Sequence, residues 1–348
     1  MAREAPVDIA KGIGIILVVA GHTIIGFGSQ HEHLYNFTHS FNMPLFLGIS
    51  VIFISKKRSI SAFFNSKFKR FVIPFLSWVV VYAILSNLMN YIKVQLQSVV
   101  VINEAITYHA LNEYLMIPFL GNWISLKNAG LYVELWFLPA AFSLALLFRF
   151  ILELDFKNNK IIIAIVSIIA SLLMVYFNNL YKLHNMIPWG IDIAITCLPF
   201  YYLCQFRKIF YKLNTIFIPI LIILIVILTY RMPVGIAGMI IDNYFRFILA
   251  ANLGIILVFC VSSKLATFRI SKILTKIGSR SYLIFTLQGV VFLFWRPLAS
   301  RISILSNDDL FNAVLFILGL TIPYFLYPVV DKFKVSRFLL LGADKKSS

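Results

Sequence analysis

Ten apolar segments recur along this chain, at 8–27, 41–55, 71–92, 130–151, 161–177, 189–206, 215–230, 246–262, 282–299 and 311–330. Most approach the ~20 residues that a helix needs to cross a bilayer. Inside lipid, backbone polar groups must pair within the protein, which helices achieve segment by segment. The sequence therefore predicts an all-α fold: a polytopic membrane helix bundle of about ten transmembrane helices. A soluble alternative fails on composition. With 60% hydrophobic and 13% charged residues in 348, a water-exposed chain could not cover its apolar surface. Segment 41–55 is short, so neighbouring helices or a thinned bilayer must accommodate it, and 231–245 is expected to hold a re-entrant turn. No linker divides the chain, which predicts one membrane domain over 1–348 with no appended soluble domain. The long connection 93–129 is itself semi-apolar and is expected to pack over the bundle.

Basic residues set the orientation. Lys and Arg cluster at 3–11, 56–70, 149–160, 207–212, 264–280 and in the C-terminal tail, 24 in all, against five in the alternate connections. By the positive-inside rule the clustered side is cytoplasmic, and so are both termini. Arg3, Lys11 and the apolar run after them imitate the start of a secretory signal, but no small-residue cleavage site is clear, so an uncleaved first helix is expected. The net charge of +17 is spread as orientation signals rather than as one basic face, which argues against a nucleic-acid partner. Cys197, Cys204 and Cys260 all lie in apolar stretches without a CxxC pair, so packing is their expected role. His31, Glu32, His33 and His39 share a short outer loop but lack the fixed ligand geometry of a metal site, and no metal is expected.

The first segment carries the chemistry. In Asp8–Thr23 (DIAKGIGIILVVAGHT), Lys11 and His22 are 11 residues apart. At 100° per residue they differ by about 20° and share a helix face. They are separated by ~16 Å along the axis. Taken singly, Lys11 is explained by snorkelling to the inner interface and His22 by a helix-end hydrogen bond. Together on one face, with Asp8 a turn before Lys11, they point to function, because titratable groups in membrane spans are costly. A cation at the inner surface suits a phosphate, and a neutral histidine suits general-base work on a hydroxyl. Gly12, Gly14 and Gly21 thin the same helix and predict a close approach to it.

The Asp8–His22 pattern, with ten residues between Lys11 and His22, resembles the first motif of the acyltransferase family 3 membrane proteins, the sugar and polysaccharide O-acetylases (fucose 4-O-acetylase-like proteins among them). Further landmarks follow in the family's order: His39–Ser50 (HSFNMPLFLGIS), Lys67–Phe75 (KFKRFVIPF), Leu135–Phe142 (LWFLPAAF) and Ile277–Gln288 (IGSRSYLIFTLQ). The resemblance covers most of the chain. It implies about ten helices and acetyl transfer from cytoplasmic acetyl-CoA to a sugar hydroxyl, and it implies a place for Arg70 near the CoA phosphates, with Arg280 a lesser version of the same case. The chain departs from the family at Asn42 and Gln288, where histidine is common, and at Val51, where glycine is. These departures load the chemistry on His22 and leave Asn42 a donor to a carbonyl oxygen.

Glu134 is an intramembrane carboxylate, expected either at a sugar hydroxyl or as partner of an arginine. Trp136 is expected against the sugar, although an aromatic belt explains it as well. The sequence thus predicts a multi-pass O-acetyltransferase of the cell (plasma or inner) membrane, acting on a cell-surface polysaccharide or its lipid-linked precursor. His22 is general base or transient acetyl carrier, with Asp8 beside it in the catalytic set. Lys11, Arg70 and Arg280 hold acetyl-CoA, and Asn42, Glu134 and Trp136 meet the acceptor. The rival is a transporter or flippase for a lipid-linked sugar, which explains the spans but not the order of the landmarks. Neither the acceptor sugar nor an oligomeric state is written in the sequence.

Overall fold

A helix occupies each of the ten predicted apolar segments. The computed structural model describes residues 4–24, 31–54, 57–97, 111–153, 160–299 and 308–344. Its α-helices are α1 (Ala5–Gly21), α2 (Glu32–His39), α3 (Asn42–Val51), α4 (Ile60–Lys67), α5 (Ile73–Gln97), α6 (Leu111–Leu120), α7 (Trp123–Asn128) and α8 (Phe137–Glu153). They continue with α9 (Lys160–Tyr181), α10 (Ile191–Gln205), α11 (Arg207–Phe210), α12 (Phe217–Thr229), α13 (Tyr244–Leu265), α14 (Ser271–Ala299), α15 (Asp308–Lys332) and α16 (Lys334–Leu341). Among the described residues the only sheet is a two-stranded hairpin. The fold is an all-α polytopic bundle.

Among the described residues, six helices are long and apolar enough to cross a membrane: Ile60–Ile92, Val133–Glu153, Ile162–Tyr181, Tyr244–Leu265, Ser271–Trp295 and Asp309–Lys332. The shorter helices α1 and α3 are at the centre, where bilayer thickness imposes nothing on them. Helix α1 packs against α14, α13, α3 and α15, and Ile9, Ala10, Ile15, Val18 and Val19 are wholly buried. The outermost spans are the reverse: only 22% of the apolar window in Ile162–Tyr181 and 17% in Asp309–Lys332 is buried, against 72% in Val133–Glu153. Side chains such as Ile165, Val166 and Phe325 therefore face lipid. The helix bearing Lys11 and His22 is thus enclosed by other helices.

Helices α1 and α14 touch backbone to backbone. A Cβ on Gly12 would run into the Leu274 carbonyl, and one on Gly278 into the Asp8 carbonyl. This is the close approach that small residues allow between membrane helices. It also answers what the glycines of α1 admit. Gly12 admits α14, while Gly14 and Gly21 admit the side chains of Phe46 and His39. The glycine positions are filled by protein, and the open strip of α1 is the adjacent one, through Asp8, Lys11 and Ile15.

The segment 231–245 holds a hairpin pairing Val234–Gly235 with Ile240–Ile241, its Met232, Val234 and Ile236 buried. The connection after α5 packs on the bundle through α6 and α7, where Ile117 and Leu126 are wholly buried. Of the residues named from sequence, Arg3 lies outside those described.

Candidate active site

Helix α1 begins with Pro6 in its first turn and Asp8 near its N-terminus, where a fixed φ and a negative charge both favour initiation. It runs without a break to Gly21, and His22 is its C-cap residue. The ~16 Å separation of Lys11 and His22 expected for an unbroken helix therefore holds. The two residues mark the two ends of the site.

At the N-terminal end of α1 lies a cavity of about 1370 Å³. Asp8 and Lys11 line it, joined by a 3.3 Å ion pair. Arg70 and Arg280 line it from two other elements. The structure thus brings the three cations expected from sequence to one mouth. Three more line it that sequence reasoning passed over: Lys67, Lys272 and Lys276. A signal for two of them was present, since Lys272, Lys276 and Arg280 follow at four-residue spacing along one helix face, facing the lining residues Asp8, Lys11 and Ile15 of α1 across the cavity. Tyr282, Tyr324 and Tyr327 complete the wall.

Each arginine is held by aromatic and carbonyl groups. The Arg280 guanidinium lies 4.2 Å from the centre of the Tyr324 ring and donates to the Tyr324 carbonyl at 2.9 Å. Arg70 lies in a π-helical turn, Phe68–Val72, that joins α4 to α5. Pro74 follows two residues later. Having no N–H, proline cannot donate to the carbonyl four residues back, so the Arg70 carbonyl is freed. The Tyr282 hydroxyl donates to that carbonyl at 3.2 Å, and the Arg70 guanidinium stacks 4.7 Å from the Tyr282 ring. At the rim, Glu4 accepts two bonds from Arg207 at 2.6 and 3.0 Å, and that pairing holds its carboxyl below the usual carboxylate range. This clamp anchors the start of α1 to α11.

At the far end of α1, His22 Nδ1 is 3.5 Å from Glu134 Oε1. Glu134 sits in a short 3-10 turn, Val133–Trp136, that opens α8. Its partner is the histidine and not an arginine. His39 stands edge-on to His22 with ring centres 6.2 Å apart, and stacks on Tyr35. Burial pushes His39 down to about 3, so it stays neutral beside His22. Asp8 is at the opposite end of the helix, paired with Lys11, and does not reach this group.

Behind the residues that line the cavity, three buried side chains carry unmet hydrogen-bonding atoms. Asn42, wholly buried, accepts at Oδ1 from the Met43 N–H at 2.7 Å, while its Nδ2 has no partner among the described residues. Trp136 Nε1 and Gln288 Oε1 are buried in the same condition. Their chain neighbours Met43 and Phe137, and Phe285 one turn before Gln288, line the cavity. A buried polar atom without a partner costs ~1–3 kcal/mol, so each of these atoms would gain from a polar group that reached it, although the three residues stand behind the cavity lining. Among the described residues, no group of His, Cys, Asp or Glu is arranged to hold a metal.

The arrangement is a cationic mouth at one end of a helix and a half-buried histidine–carboxylate pair at the other. Such a frame can bind an anionic group at one end and take a proton at the other. A family model described as an acyltransferase domain matches residues 5–330. No curated protein and no solved structure matches the chain. The match spans the His22–Glu134 pair and every residue that lines the cavity except Glu4, and the chain accordingly belongs to acyltransferase family 3 as a multi-pass membrane enzyme.

Proposed function

We propose that this acyltransferase moves an acetyl group from acetyl-CoA to a hydroxyl of a cell-surface polysaccharide or its lipid-linked precursor. The observation that carries the reading is the convergence of Lys11, Arg70 and Arg280 on one cavity, at the end of the helix whose other end holds His22 and Glu134. Membership of an acyltransferase family sets the flippase reading aside.

In this reading the cationic mouth holds the phosphates of the donor, with Asp8 positioning Lys11. The cavity's apolar wall of Ile15, Phe46, Phe137 and Phe285 takes the uncharged arm, which spans the same ~16 Å as the helix between the two residues. Glu134, facing Nδ1, fixes the His22 ring and leaves Nε2 to act. His22 Nε2 takes the proton of the acceptor hydroxyl as its oxygen bonds to the acetyl carbonyl carbon. The carbon–sulfur bond then breaks, and His22 returns the proton to the departing sulfur. Asn42 Nδ2 and Trp136 Nε1 supply donors for the oxygens that gain charge, and Gln288 Oε1 accepts from an acceptor hydroxyl.

Two measurements test this. Detergent-purified protein should bind radiolabelled acetyl-CoA saturably, and surface glycans of a deletion strain should lose acetyl groups by mass spectrometry. Absence of both effects would refute the transferase assignment. The cytoplasmic placement of the mouth rests on the positive-inside count. In a background without the native cysteines, an impermeant thiol reagent added to intact cells should label Lys127→Cys and spare Ile60→Cys. The reverse pattern would place the mouth outside, away from cytoplasmic acetyl-CoA.

A further inference from the structure

Helix α16 and the residues after it lie beyond the part of the chain that matches the family, which ends at 330. They nevertheless dock onto the cavity mouth. The last carbonyls of any helix lack partners within it, and two of those in α16 are taken by side chains of the α4–α5 segment. The Arg70 guanidinium donates from Nη1 to the Leu341 carbonyl at 2.8 Å, and Trp78 Nε1 donates to the Leu340 carbonyl at 3.2 Å. The negative end of the α16 dipole thus faces Arg70.

The tail that follows is seated just as closely. Gly342 is left-handed at φ +59°, and a Cβ there would stand 2.7 Å from both the Arg70 Cα and the Arg70 carbonyl oxygen. Only glycine meets both demands, of conformation and of space. Leu341 is buried at 2% exposure. Beyond it, Asp344 pairs with Lys69 at 3.3 Å, an exposed contact that contributes little.

We propose that residues 334–344 act as a positioning strap for Arg70, holding its guanidinium at the cavity mouth and thereby setting affinity for the phosphate-bearing part of the acyl donor. This rests on the reading of Arg70 as a donor-phosphate residue. An arginine is flexible and costs conformational entropy to fix. Here one arm is tied to α16 and the plane is stacked on Tyr282, so that entropy is already lost before the donor arrives. None of the strap residues touches the reacting atoms. Their effect runs through Arg70 alone.

Equilibrium binding to the full-length protein in detergent tests the strap, with acetyl-CoA and the phosphate-free S-acetylpantetheine as paired probes. Gly342→Val should raise the Kd for acetyl-CoA roughly tenfold, the scale of one charge-assisted contact, and leave that for S-acetylpantetheine unchanged. Trp78→Phe, which keeps an aromatic side chain of smaller size and removes the N–H, should shift the same ratio in the same direction and serves if the Gly342 variant does not accumulate. Adding Gly342→Val to Arg70→Ala should cause no further loss, because the strap acts through the residue already removed. Equal weakening of both probes, or additive loss in the double variant, would overturn the strap while leaving Arg70 in its role. If Arg70→Ala itself leaves acetyl-CoA affinity intact, the donor-phosphate reading of Arg70 falls, and the strap with it.

Discussion

His22→Gln is expected to lower acetyl transfer by ~10²–10⁴, the usual scale for a lost general base, with the affinity for acetyl-CoA unchanged. Glutamine keeps the size and polarity of the side chain but cannot take a proton from a hydroxyl. Position 22 caps α1 through its backbone N–H, which the substitution preserves, so the fold should stand. Glu134→Gln removes the carboxylate 3.5 Å from Nδ1 and should lower turnover in the same sense by a smaller factor, since the base remains while its orientation weakens. The measurement is acetyl content of surface glycans beside binding of acetyl-CoA to the purified variants. Wild-type acetylation from His22→Gln would remove the histidine from the mechanism. A loss of donor binding equal to the loss of turnover would make α1 a structural unit instead of a donor-to-base track.

Lys11→Met should raise the Kd for acetyl-CoA by about 10- to 150-fold, from the loss of roughly 1.5–3 kcal/mol in one charge-assisted contact. Lys11→Arg should retain most of the affinity, because the contact acts chiefly through charge. The structure adds a second consequence. Asp8 is buried at 5% exposure and is paired with Lys11, so the methionine variant also takes this cation away from a carboxylate that faces the cavity. Lys11→Met combined with Asp8→Asn should therefore bind acetyl-CoA better than Lys11→Met alone. Binding that is indifferent to Asp8 in the methionine background would show that Asp8 does not position Lys11. The S-acetylpantetheine affinity should stay constant throughout, since that probe carries no phosphate.

Much of this was legible along the chain. Residues far apart in sequence could be placed in helices because lipid forces each apolar segment to pair its own backbone. Within α1 the shared face of Lys11 and His22 followed from helical period alone, and the structure keeps that helix unbroken. The stripe Lys272, Lys276, Arg280 was equally available, but its spacing was passed over because cations at a span's inner end are explained by orientation. Periodicity shows which residues share a face and is silent on what that face meets.

What meets what is a matter of tertiary packing. That Gly12 and Gly278 bring α1 and α14 into backbone contact depends on two segments over 260 residues apart in the chain. Glu134 was a carboxylate in search of a partner until the turn before α8 placed it beside His22. Arg70 was one basic residue among six in its cluster, and only the fold freed its carbonyl at Pro74 and tied its guanidinium to Leu341. The sequence by itself determined the membrane bundle and the two ends of one helix, because both follow from local hydrogen bonding and a fixed rise per residue. The tertiary structure alone decided which cations share a mouth and which carboxylate faces the histidine, because those contacts join segments whose approach no local rule encodes.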